Sequence, residues 1–178
     1  MWAAHNQNTN HLTDLLAARR IAQTLSTAGI SAEAQDVSTV TEPTRFHSIV
    51  VGSAVYAGRW LREAAQFLEN NEAALVSRPV WLFSSGPTGH GDPSALLDGW
   101  RFPTNLEELS ERIRPRDTAL FHGAIDLTTL GFGERLMIKA IKGATGDFRD
   151  WEMIDHWAST IASEVKQTLR ETPLPAAA

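Results

Sequence analysis

The period of the apolar positions changes several times along the chain, and each change marks an element. Leu15, Ala18, Ala22 and Leu25 recur at helical spacing, and Gly29 is placed to stop that helix. Ile30, Ala32, Ala34 and Val37 alternate weakly, as in an exposed strand. Phe46 to Val51 is a short apolar run closed by Gly52, the pattern of a strand buried on both faces. A second helical stripe comes next at Leu61, Ala64, Ala65 and Leu68, and a second buried strand, Pro79 to Phe83, runs into Ser84-Ser85-Gly86-Pro87. Thr104 and Glu107 have capping-box spacing, with Leu106, Leu109 and Ile113 on one face behind them. Thr118 to Ile125 is the next expected strand, with Gly123 inside it, and Leu136, Ala140 and Ile141 predict a further helix. The clearest stripe is the last: Trp151, Ile154, Trp157, Ala158, Ile161, Ala162, Val165 and Leu169.

Strands that alternate with helices imply βαβ crossovers and a mainly parallel sheet covered on both faces. Such sheets bind ligands outside the carboxyl ends of their strands. Chemistry is therefore expected at residues 52–60, at residues 84–91 and after Gly123. The Asn-rich start, Met1 to Asn10, reads as irregular, and Pro173 to Ala178 reads as a disordered tail. The expected organisation is an irregular segment at 1–12, one domain at 13–171 and a tail at 172–178.

Composition narrows the function classes. The 178 residues are 43% apolar and 21% charged, a globular balance, and the net charge of −5 disfavours nucleic acid as a partner. The absence of cysteine excludes disulfides, iron–sulfur ligation and thiolate chemistry. No apolar run reaches membrane-span length and no signal-peptide pattern opens the chain, so the expected location is the cytoplasm.

Two segments have residue types suited to a ligand. Gly52-Ser53-Ala54-Val55-Tyr56-Ala57-Gly58-Arg59-Trp60 comes after a buried strand and before a helix. Its small residues let a flat ligand approach the backbone, and Tyr56 and Trp60 offer aromatic faces. A plain strand-to-helix turn with core aromatics explains the same residues equally well. Phe83-Ser84-Ser85-Gly86-Pro87-Thr88-Gly89 supplies hydroxyls and glycines, which are also ordinary turn residues. Two such loops on consecutive parallel strands are a stronger signal than either alone. Asp150 is expected to cap the last helix, and Arg149 to pair with a nearby carboxylate. His5, His11, His47, His90, His122 and His156 have no metal-ligand spacing. His122 is expected in the core, whereas His90 lies in the second loop. No Walker motif, GxGxxG or nucleophile elbow is present.

Val51 to Trp60 and Pro79 to Pro87 together resemble the two flavin-contacting loops of a flavodoxin-domain family related to the menaquinone-dependent protoporphyrinogen oxidases of bacteria. Phe132 to Lys139 and Asp147 to Trp151 resemble that family's C-terminal segments, so the likeness covers roughly residues 19–165. The resemblance implies a flavodoxin-like α/β three-layer sandwich with a central parallel sheet of order 2-1-3-4-5. It also implies flavin mononucleotide (FMN), held without a covalent bond, as the redox group. The implied contacts are Ser53, Ala54, Val55, Tyr56, Gly58, Arg59 and Trp60 from one loop, and Ser84, Ser85, Gly86, Pro87 and Gly89 from the other. Thr13 falls where a phosphate-binding hydroxyl would sit. The implied activity is FMN-dependent oxidoreduction or electron transfer to a small-molecule or protein partner, with a protoporphyrinogen- or quinone-linked role as its most specific form. No catalytic side chain is implied.

The start departs from the family pattern. Ile21-Ala22 matches the family's first helix, but counting back places Leu16 and Ala18 at its Gly and Thr positions, and Met1 to Asn10 lacks a buried-strand pattern. The first strand is therefore expected to be missing or degenerate. Two explanations are open: the chain begins at a wrong or altered start and lacks the true first strand, or the protein has diverged and binds FMN weakly or not at all, in the latter case as a cofactor-free binding or scaffold module.

Overall fold

Two stretches of unbroken apolar sequence decide the centre of the molecule. The computed structural model describes residues 2–5, 12–125 and 144–171, with side chains from Leu15 onward. Within it, Ile49–Tyr56 (β3) and Val80–Ser85 (β5) run parallel, in register from Ile49 opposite Val80 to Ala54 opposite Ser85. Successive side chains of a strand point to opposite faces. Val51 and Leu82 accordingly enter one core, and Val50, Trp81 and Phe83 enter the other. Each such fully buried side chain stabilises the fold by about 1.5–3 kcal/mol.

The remaining strands extend this pair. Trp2–His5 (β1) lies between β3 and Glu33–Asp36 (β2), parallel to both, and Asp117–Phe121 (β6) pairs parallel with β5. The order is β2-β1-β3-β5-β6, with the two-residue strand Arg59–Trp60 (β4) turned back on β3. A first strand is thus present at Trp2–His5, which corrects the expectation that it is missing and that the chain is irregular at those four residues. It is only four residues long, too short to show a period, and its two parallel neighbours supply its hydrogen-bond partners.

Helices cover both faces. Leu12–Thr27 (α1) and Trp151–Glu171 (α5) bury Ala18, Ile21, Leu25, Ile154, Ala158, Ile161 and Val165 on one side. Arg62–Asn70 (α2), Glu72–Val76 (α3) and Glu107–Ile113 (α4) bury Phe67, Leu68, Leu75, Leu109 and Ile113 on the other. This is the expected flavodoxin-like three-layer α/β arrangement. Gly29 ends α1 as expected: with φ +81° it lets its own N–H reach Ser26 O and the Ile30 N–H reach Leu25 O, a Schellman end. Arg20 binds the Asp155 carboxylate through two contacts, at 2.8 and 2.6 Å, and so joins α1 to α5. That guanidinium bond holds the Asp155 carboxyl below the usual range, against a smaller desolvation effect, and Thr24 adds a further bond. No helix among the described residues is long and apolar enough to cross a membrane.

Three local expectations change. The capping box at Thr104 is not formed, because Pro103 starts a 3₁₀ turn over Thr104–Leu106 and α4 begins only at Glu107. The strand expected to reach Ile125 stops at Phe121, and Ala124–Ile125 (β7) pairs instead with Gly146–Asp147 (β8), antiparallel. Leu169, at the end of the long stripe, is 44% exposed, so the stripe outruns the core. The helix expected around Leu136, Ala140 and Ile141, the family-like segment Phe132 to Lys139, the side chain of Thr13 and the tail from Pro173 lie outside the described residues.

Candidate functional site

Because β3 and β5 are parallel and in register, both end on the same rim, with Ala54 beside Ser85. The two strands leave that rim by different routes. β3 does not turn directly into a helix. It continues to Tyr56, reverses through Ala57 (φ 50°) and Gly58 (φ 74°), and pairs back through Arg59 and Trp60. Positive φ at both central residues makes this a two-residue type I′ hairpin, whose twist matches its strands. A non-glycine residue in the left-handed region costs about 1 kcal/mol or more, so Ala57 is mildly strained. Tyr56 stands 42% exposed at this tip, beside the exposed Ala57, Gly58 and Arg59.

Several nominated side chains turn inward. Ser53, Ser84, Ser85 and Trp60 are all buried. The Trp60 indole N–H donates to Ser84 Oγ at 2.9 Å, and its ring meets Phe102 edge-on with centroids 5.0 Å apart. Ser53 Oγ donates to Ala54 O at 2.8 Å and accepts the Leu61 N–H at 3.0 Å. These groups bind the hairpin and the start of α2 to the sheet. Gly52 is small for an internal reason as well: a Cβ there would lie 2.0 Å from the Phe83 ring.

The segment after β5 is held by main chain and by one imidazole. The Gly86 N–H reaches Phe121 O at 3.2 Å, the Gly123 N–H reaches Pro87 O at 3.0 Å, and the Phe148 N–H reaches Gly123 O at 3.2 Å. A Cβ on Gly123 would sit 3.2 Å from Gly86 O, and one on Gly86 would sit 3.1 Å from Val55 Cβ. This close approach of the backbone at Gly123 to that at Gly86 is why β6 breaks there. His122 is buried, as expected, with Nδ1 3.2 Å from Pro87 O and Nε2 2.8 Å from Gly91 O. His90 is exposed in the same loop and meets the Phe148 ring edge-on at 5.3 Å. Gly89 (φ +141°) precedes it, packed near Leu96.

Beyond β8, Arg149 pairs with Asp147 at 2.8 and 2.5 Å and lies 4.9 Å over the Trp151 ring. The Arg149 bond holds the Asp147 carboxyl below the usual range, against a smaller desolvation effect, with its backbone bond and charge adding to the shift. Asp150 caps α5 through the Met153 N–H at 2.9 Å, as its position in the sequence suggests.

At the start of the domain, α1 begins at Leu12, so Leu16 and Ala18 are helix-interior residues and no loop begins at them. Ala18 is fully buried against the sheet. The residues missed by sequence reasoning are Phe102 under Trp60, Phe148 against His90, and the two carbonyls facing His122. Each contact joins positions more than thirty residues apart, and no local pattern signals it.

A five-membered parallel order with the first strand in sequence inside, helices on both faces and loops at the carboxyl rim defines the flavodoxin-like class. The profile of the Flavodoxin domain family matches residues 16–152, and the chain belongs to that family. A flavodoxin from the domain Archaea superposes with TM-score 0.58 at 13% identity, covering 93% of this chain and 97% of its own. A Streptococcus pneumoniae flavodoxin gives 0.54 at 12% identity, with coverage of 92% and 97%. The flavodiiron core of a Synechocystis protein gives 0.58 at 14%, with 94% of this chain matching 36% of that one. At these identities the likeness concerns the fold. A search of curated protein sequences returns no match.

Proposed function

We propose that this chain binds FMN at the carboxyl rim of its sheet and serves as an electron-transfer or oxidoreductase domain. The observation that carries the reading is the register of β3 and β5, which puts the Tyr56 hairpin and the Gly86–Gly91 loop side by side. A flavin ring would lie between the hairpin and this loop, with the exposed Tyr56 ring against its face and main chain near Val55 and Gly89 at its polar edge; Ala54, Gly86 and Pro87 would border it, although Ala54 O, the Gly86 N–H and Pro87 O already bond Ser53, Phe121 and Gly123. Gly58 and Arg59 form the outer edge of the same hairpin. Ser53, Trp60, Ser84 and Ser85 act one step behind, fixing the hairpin and strand ends that make the contacts. Thr13 stands in the first turn of α1, where unpaired N–H groups and the helix dipole favour a phosphate. When bound, FMN supplies one- and two-electron chemistry, and the chain sets its position and polarity.

The most specific form of this reading is a quinone- or protoporphyrinogen-linked oxidoreductase in the cytoplasm. It rests on the resemblance of the rim segments and of Asp147 to Trp151. An assay of protoporphyrinogen oxidation by the FMN-loaded protein tests it, and absence of turnover removes it. The inward turn of Ser53, Trp60 and Ser84 favours one other reading, a binding or scaffold domain that needs no cofactor. One titration separates the two. Added to the purified protein, FMN is expected to show a shifted visible spectrum that saturates in the micromolar range, whereas an unchanged spectrum supports the scaffold.

A further inference from the structure

We propose that His122 is a positioning residue for the Pro87–Gly91 loop, and that it works by donating hydrogen bonds from both ring nitrogens. The inference rests on the FMN reading only for its consequence at the rim. Pro87 O and Gly91 O can accept but cannot donate. Nδ1 lies 3.2 Å from the first and Nε2 lies 2.8 Å from the second. His122 is 5% exposed and its bond to Pro87 O is buried, whereas Gly91 lies in an exposed stretch of the loop. A neutral imidazole has one N–H, so either tautomer turns a lone pair towards a carbonyl oxygen. The Nε2–H tautomer keeps the shorter contact and leaves Nδ1 facing Pro87 O, which still accepts the Gly123 N–H. An imidazolium satisfies both carbonyls and ties the two ends of the loop to the end of β6.

The loop needs such a tie. Gly89 and Gly91 take φ of +141° and +107°, which only glycine adopts freely. A glycine-rich segment loses much backbone entropy on ordering, and a loop already held adds less of that cost to ligand binding. Among the described residues, the titratable and charged groups on the elements around the ring are His90 and Asp92 beside Gly91, and Asp147 and Arg149 on the β8 side. Asp147 and Arg149 neutralise each other. No carboxylate is hydrogen-bonded to the ring among the described residues, and the two groups that face its nitrogens are the carbonyls of Pro87 and Gly91.

The test uses the full chain, first without flavin. ¹⁵N spectra of the ring report its protonation between about pH 5 and 8, the range in which imidazoles exchange protons. Amide hydrogen exchange reports the loop at Thr88 to Asp92. The expected result is a ring carrying N–H at both nitrogens at the acid end, with the loop's protection, its exchange relative to the intrinsic rate at each pH, rising as the second proton binds. FMN affinity is expected to rise by about tenfold over the same range, the worth of one charge-assisted hydrogen bond. His122→Asn, which offers a donor but does not titrate there, is expected to lose the pH dependence of the loop's protection. A ring held in one neutral tautomer throughout overturns the proposal, and so does loop exchange that ignores its protonation. Both readouts come from the unmodified chain, so a variant that fails to fold does not blunt the test. If FMN binds at no pH, the cofactor reading falls, and the exchange titration by itself decides whether His122 holds the loop.

Discussion

The two segments that meet at the carboxyl rim are built in different ways. The β3 hairpin is local: Tyr56 faces Arg59 across a two-residue turn, and Trp60 anchors it through Ser84 on the neighbouring strand. The loop after β5 has no partner strand of its own. It is held by Phe121, His122 and Gly123 at the end of β6, more than thirty residues away. One side of the rim is thus fixed by contacts within the hairpin and to the next strand, and the other by contacts from the end of β6.

The sharpest way to break the contrast is to remove the hairpin's anchor. Trp60→Ala deletes a buried ring, its contact with Phe102 and the donor to Ser84, and is expected to destabilise the protein by about 3–5 kcal/mol in urea unfolding. A cost under about 1 kcal/mol would mean that the hairpin is not anchored there. Gly52→Ala tests the sheet beneath the hairpin. Its Cβ would overlap the Phe83 ring, and a loss of about 1–3 kcal/mol is expected by thermal or urea denaturation. Asp150→Ala lies outside both segments and removes only a helix cap, so about 1 kcal/mol should be lost, with no change in flavin affinity.

The smallest effect is one of pH, and it separates the two sides. The Asp147 carboxyl is held below its ordinary 3.8 by Arg149. A lowered carboxyl contributes stability that is present above its unfolded value and is lost as pH falls through the folded one. Acidification below about pH 4 is therefore expected to lower the protection of the Phe148 amide, whose N–H bonds Gly123, relative to its intrinsic exchange rate, before it affects Tyr56 or Trp60. Asp147→Asn should raise Phe148 exchange at neutral pH and flatten its acid dependence.

Legibility in the sequence divides along the same line. The runs that became β3 and β5 are apolar on both faces, and the stripes that became α1, α2 and α5 recur at helical spacing. The alternation of strands and helices then placed both loops on one rim. β1 was not legible, because four residues with no period become a strand only between two others. The break at Gly123 depends on how near Gly86 comes, and the failed capping box at Thr104 on the 3₁₀ turn that Pro103 starts. The small residue at Gly52 suggested room for a ligand, but that room is filled by Phe83. Residue types at a site do not say which way the side chains turn: Ser53 and Ser84 looked like ligand contacts and prove to be bonded inside.

The most direct test of the account is amide hydrogen exchange of the full chain with and without saturating FMN. Added protection at both Tyr56 to Trp60 and Gly86 to Gly91, with little change at α4 or the end of α5, is the predicted result. Protection confined to one of the two segments, or found at neither, would contradict a flavin held between them.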